Sequence, residues 1–98
     1  MIVKEHKTEE GRLLLAICDS DLLGKKFEEG KKQLDLSSDF YKGKEKSDQE
    51  IIDLMKKAYM MNMVGQNSVT LAINENLISG EHVEEIAGIP YAQSTGTD

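Results

Sequence analysis

Residues 47–76, SDQEIIDLMKKAYMMNMVGQNSVTLAINEN, decide how the chain is read. Ser47 followed three residues later by Glu50 is a capping box, in which each residue satisfies the other's backbone N–H at the start of a helix. Ile51, Leu54, Met55, Ala58 and Met61 then recur at helical spacing, so a helix is predicted over Asp48–Met63. Ile52, Tyr59 and Met63 widen its apolar stripe beyond one face. Gly65 reads as the end of that helix. Val69, Ala72 and Ile73 predict a second helix over Gln66–Glu75, with Asn76 as a left-handed stop. Helix, short loop, helix makes an αα-hairpin.

Upstream, Ile2–Lys7 and Arg12–Cys18 flank the turn Thr8-Glu9-Glu10-Gly11 and predict an antiparallel hairpin. Leu13 to Cys18 is apolar at both alternation sets, which suits a strand covered on two faces. In the register this turn implies, Lys7 faces Arg12, His6 faces Leu13 and Cys18 lies beside Met1. Asp19–Gly24 reads as a capped single turn, and Lys25–Gly30 as a charged connector anchored by Phe27. Leu34 and Leu36 alternate with Gln33, Asp35 and Ser37, a half-buried third strand. Phe40-Tyr41-Lys42-Gly43 is a loop with two aromatic anchors.

Downstream, Val83–Ala87 fits a strand or a short helical turn, and the strand is preferred. Gly88-Ile89-Pro90-Tyr91 reads as a constrained turn. The predicted fold class is α+β: a small antiparallel sheet, made of the hairpin, the third strand and an optional C-terminal strand, packed by the αα-hairpin. Residues 1–93 form a single domain and residues 94–98 a flexible polar tail.

The 98 residues carry 12 Lys+Arg against 18 Asp+Glu, a net charge of -6. That balance argues against DNA as a partner for the chain as a whole. The charge is unevenly placed. Residues 1–46 are neutral, and all of the deficit lies after them, where only Lys56 and Lys57 are basic. A polyanion is therefore confined to the first half, and a basic protein suits the second. The longest apolar run, Leu13–Cys18, is far short of the roughly 20 residues that span a bilayer. Lys4, Glu5, His6 and Lys7 interrupt any secretion signal, and one Cys forms no internal disulfide. A cytoplasmic protein without a membrane anchor is expected.

Chemistry-bearing residues are few. If the register holds, His6 lies about five residues along the ladder from Cys18, roughly 16 Å, too far for a nucleophile–base pair. His82 stays open as a partner for that thiol. The histidines and carboxylates show no metal-ligand spacing, and no cofactor motif is present; Gly24-Lys25-Lys26 lacks the upstream glycine of a P-loop. Gly65, Asn67 and Ser68 open a helix, where free N–H groups and the helix dipole hold an anion. Lys25, Lys26, Lys31, Lys32, Lys42 and Lys44, interleaved with Phe27 and Tyr41, are the candidate nucleic-acid contacts, since lysines reach phosphates and aromatic rings stack on unpaired bases. Gly88, Pro90, Tyr91 and Gln93 are the candidate binding loop, because a proline lowers the cost of ordering it. Met55, Met60, Met61 and Met63 give the first helix an adaptable apolar face on which a homodimer would form.

Cys18-Asp19, Leu22–Lys25, Phe27–Gly30, Asn62–Gly65 and Gly88–Gln93 follow one another in the order of a known set of blocks. In them the chain resembles the archaeal family known as domain of unknown function 424, over nearly its whole length. The family's last block carries a His where this chain has Tyr91, so no imidazole role carries over there. The resemblance implies an archaeal cytosolic source, a compact α+β domain and work associated with RNA or the translation machinery. Together these readings favour a non-enzymatic binding module with an RNA or protein partner. A homo-oligomeric interaction protein is the alternative, and an enzyme using Cys18 the least favoured reading.

Overall fold

The computed structural model describes residues 1–95. The N-terminal hairpin pairs β1 (Ile2–Lys7) with β2 (Leu13–Cys18), as the alternation predicts. Its register differs by one residue. Lys7 faces Leu13, His6 faces Leu14 and Ile2 faces Cys18. The turn takes in Arg12, whose carbonyl accepts from Thr8 N at 2.9 Å while Thr8 Oγ1 accepts from Arg12 N at 3.1 Å.

After Cys18 the chain makes a short 3-10 turn over Ser20–Leu22 and then a second hairpin, β3 (Lys26–Glu29) with β4 (Lys32–Asp35). The segment expected to be a connector is thus a strand. It pairs Phe27 with Leu34, and these two rest on a core of Cys18, Leu22, Leu36 and Val64. The strand containing Leu34 belongs to this separate two-stranded sheet and does not extend the main one. A 3-10 turn at Asp39–Tyr41 leads into β5 (Lys44–Glu45), which pairs with Ile2 and Val3.

The predicted capping box is present: Ser47 Oγ accepts from Glu50 N, and the Glu50 carboxylate accepts from Ser47 N at 3.1 Å. Helix α1 runs over Asp48–Lys57 and stops there, short of the predicted Met63. Ala58 is extended, and Tyr59 N donates to Leu13 O at 2.8 Å. Residues Met60–Val64 then form β6, parallel to β2, with Leu15 beside Met61 and Ile17 beside Met63. The over-wide apolar stripe was two elements, a helix face followed by an alternating strand. Of the four methionines assigned to a helical dimer face, only Met55 is helical, and Met61 and Met63 are buried in the sheet. Gly65 follows β6 and opens α2 (Gln66–Asn74) instead of ending α1. Asn76 takes the left-handed conformation, φ 59°, as expected.

The preferred C-terminal strand is present as β7 (Glu84–Ile86). The constrained turn is narrower than predicted. Ala87 (φ 51°) and Gly88 (φ 81°) make a two-residue turn, after which Ile89–Thr95 is strand β8. Positive φ at both central residues is the hairpin type whose twist matches the flanking strands. Ser94 and Thr95, assigned to the tail, continue β8 opposite Met61 and Met60; residues 96–98 lie outside the described residues.

The main sheet has six strands in the order β5-β1-β2-β6-β8-β7, larger than predicted, and only β2 and β6 are parallel. One face packs Val3, Leu15, Ile17, Met61, Met63 and Ala92 against Ile51 and Met55 of α1 and Val69 and Ala72 of α2. The other face carries the β3–β4 hairpin and the Tyr41 turn. Central strands covered on both sides explain the unbroken apolar run of β2. Among the described residues no helix is long and apolar enough to cross a membrane.

Candidate functional site

The lysine-rich segment divides in space. Lys25, Lys26, Lys31 and Lys32 sit on the β3–β4 hairpin, where Lys26 faces Asp35, Lys32 faces Glu29, and Phe27 turns into the core. Lys42 and Lys44 lie at the β5 edge instead. There they join Lys4 of β1 and Lys46 around a concavity of about 380 Å³, with Val3, Glu5 and Gly43 completing the lining. Gly43 makes this convergence possible: a Cβ there would overlap the Val3 carbonyl. Acidic groups share this edge, and Glu5 lines the concavity beside the lysines. Asp39 pairs with Lys42 at 3.2 Å, and Glu45 accepts from Ser20 Oγ at 2.6 Å. Lys46 ends the lysine-rich segment, whereas Lys4 lies outside it, and nothing local marks that residues 4 and 46 meet.

The four binding-loop candidates separate. Gly88 is in the β7–β8 turn, and Pro90 lies in β8, where its carbonyl accepts from Gly65 N at 2.8 Å. Tyr91 and Gln93 line a cleft of about 220 Å³ on the hairpin side of the sheet, together with Tyr41, Asn62 and Leu34. The structure thus joins Tyr41 to Tyr91 and Gln93. It adds Asn62, which the helical reading of residues 48–63 had hidden. Burial pushes the Tyr41 phenol up to about 12.

The anion-binding geometry at α2 is real, but its occupant belongs to the chain. Asp19, which is buried, places its carboxylate on the helix N-terminus. It accepts from Asn67 N at 3.0 Å and from Ser68 N and Oγ, each at 2.8 Å. Gly65 stands against that carboxylate with φ 109°, and a Cβ there would overlap it. Gly65→Ala therefore combines backbone strain with a clash against a fixed group. It is expected to cost about 2–5 kcal/mol. Urea unfolding measures this, and a loss below about 1 kcal/mol would contradict the packing.

Cys18 is fully buried. Desolvation, reinforced by the neighbouring Asp19 carboxylate, raises its thiol from 9.0 to about 11. His6 is about four residues along the ladder from Cys18, roughly 13 Å, and its Nε2 meets the Phe40 carbonyl at 2.9 Å while the two rings stack. His82 ends a 3-10 turn two residues before Glu84 opens β7. That strand lies three strand spacings from Cys18 through Val64 and Tyr91, about 14 Å. Neither imidazole is placed to activate the thiol. Its burial and raised thiol predict labelling about 100-fold slower than for an ordinary cysteine. Labelling in native buffer and in denaturant checks this; equal rates would overturn it. Among the described residues no group of three or more His, Cys, Asp or Glu is placed to hold a metal ion.

Comparison with known proteins adds the family and a fold relative. No curated protein matches significantly. The crystal structure of an uncharacterized conserved protein from Methanopyrus kandleri superposes with a TM-score of 0.78 at 24% identity, covering 95% of this chain and 88% of that one. The likeness establishes a shared fold. The family model described as "Protein of unknown function (DUF424)" matches residues 6–95, which takes in the second hairpin, β6, α2 and the β8 cleft, and the chain belongs to that family.

Proposed function

We propose that the chain is a non-enzymatic cytosolic binding module that holds RNA by its phosphate backbone at the β1–β5 edge. The observation that carries this reading is the convergence of Lys4, Lys42, Lys44 and Lys46 on one concavity of about 380 Å³. Closely spaced ammonium groups are point charges suited to successive phosphates, and they release the counterions condensed on a nucleic acid. The Asp39–Lys42 pair is exposed, and such pairs contribute little, so it yields readily to a phosphate. Part of the acidic excess of residues 47–98, Glu84 and Glu85 of β7, lies at the opposite edge of the sheet, which favours a polyanion at the β1–β5 edge.

An unpaired strand is favoured over duplex DNA because aromatic side chains lie beside the lysines. Consecutive residues Tyr41 and Lys42 line the cleft and the concavity respectively. Stacking on aromatic rings is the common mode for unpaired RNA bases. Filter binding to bulk single-stranded RNA at low ionic strength tests the reading. Saturable binding is expected, and none at low salt contradicts it.

A further inference from the structure

We propose that the cleft between Tyr41 and Tyr91 receives one unpaired base of the bound strand, whose edge is read by the Asn62–Gln93 amide pair. This rests on the RNA reading above and goes beyond phosphate contact to base recognition. Three placements support it. First, the strand registers set Lys4, Ala16, Asn62 and Gln93 in one transverse row across β1, β2, β6 and β8. Asn62 is therefore two strand spacings from the lysine concavity, about 10 Å, and Gln93 about 14 Å. Ala16, between Lys4 and Asn62, is fully buried, so a linked strand would cross over the Asp39–Tyr41 turn, which contacts both β1 and β2, to span that distance.

Second, the amides keep hydrogen-bonding capacity to spare. Gln93 Nε2 donates to Asn62 Oδ1. That leaves the Asn62 amide donors and the Gln93 carbonyl acceptor available to a ligand within one bonded amide pair. A donor and an acceptor together match the edge of a nucleobase, as in the known pairing of Asn or Gln with adenine. Third, the cleft is about 220 Å³ and holds two tyrosines. That is below the ~300–1,000 Å³ of pockets enclosing whole ligands. It suits one ring system whose sugar and phosphate stay outside.

The test is fluorescence-anisotropy binding of the full chain to a short mixed-sequence RNA and to an abasic strand of equal length. Gln93 is exposed, so Gln93→Ala leaves the fold intact; Asn62→Ala and the pair Tyr91→Phe and Tyr91→Leu complete the set. Each amide variant is expected to weaken RNA binding roughly tenfold while leaving abasic-strand affinity and the salt dependence unchanged. Tyr91→Leu loses a similar factor and Tyr91→Phe keeps the affinity, because stacking needs the ring and not the hydroxyl. Amide variants that bind RNA as tightly as the parent overturn the proposal. Equal affinity of the parent for RNA and abasic strand also overturns it while sparing the phosphate-grip reading. Failure to bind either strand overturns both. Displacement of the RNA by an equimolar free nucleoside monophosphate overturns the strand-borne source of the base.

Discussion

Replacing Asp19 with Ala is expected to remove about 3–5 kcal/mol of stability and to lower Tm by more than about 12 °C. The expectation follows from where the carboxylate sits. It accepts three hydrogen bonds, from Asn67 N, Ser68 N and Ser68 Oγ. Ser68 is fully buried, so its amide loses its partner with no water to replace it, and its hydroxyl is left only a weak contact to Met1 Sδ at 3.4 Å. Each buried group left unpaired costs about 1–3 kcal/mol. The negative charge also faces the positive end of α2, a favourable placement worth up to ~2 kcal/mol when partly buried. Total stability for a chain of this length is only about 5–15 kcal/mol, so the loss takes a large share. Asp19→Asn preserves shape but turns an amide N–H₂ toward backbone donors, and its loss falls between the parent and Asp19→Ala. Urea and thermal unfolding check both variants. A loss below about 1 kcal/mol for Asp19→Ala would show that the helix end is satisfied in another way.

Neutralising Lys4, Lys44 and Lys46 together by Gln is expected to weaken RNA binding about 100-fold at 0.1 M salt. Each contact with a single strand releases about 0.7 counterion, which at that salt corresponds to roughly fivefold in affinity. Three contacts compound to the stated factor, and the salt slope falls by about 2. Lys42 is left in place because removing it would also release the Asp39 carboxylate at this edge. The fold tolerates the change, since surface substitutions of this kind stay within about 0.5 kcal/mol. The matching control is Lys25, Lys26 and Lys31 to Gln on the hairpin. Glu28, Glu29 and Asp35 are interspersed there, and Lys26 faces Asp35, so the effect is expected to stay within about threefold. A hairpin variant that loses as much as the edge variant would move the RNA path off the concavity.

What could be read in the sequence was local. The Ser47–Glu50 capping box, the left-handed stop at Asn76 and the two strands around residues 8–11 each depend on residues a few positions apart. The misread elements depend on distant partners. Residues 60–64 suit a helix by composition, and only a ladder with Leu14–Cys18, more than 40 residues away, makes them a strand. The β7–β8 turn escaped notice because Ala87 occupies a position that Asn or Asp usually signals. Pro90 drew the turn two residues too far along. The site divides in the same way. The lysine-rich segment was visible, but its division between the hairpin and an edge where four lysines converge needed Lys4 from β1. The anion-binding end of α2 was visible too, whereas its occupant, Asp19, comes from 48 residues earlier.

The phosphate-grip account is tested most directly by the salt dependence of RNA binding to the unmodified chain. Four lysines on one backbone path predict a slope of log Kobs against log salt of about −2 to −3. A slope near zero, or no binding at low salt, would contradict it.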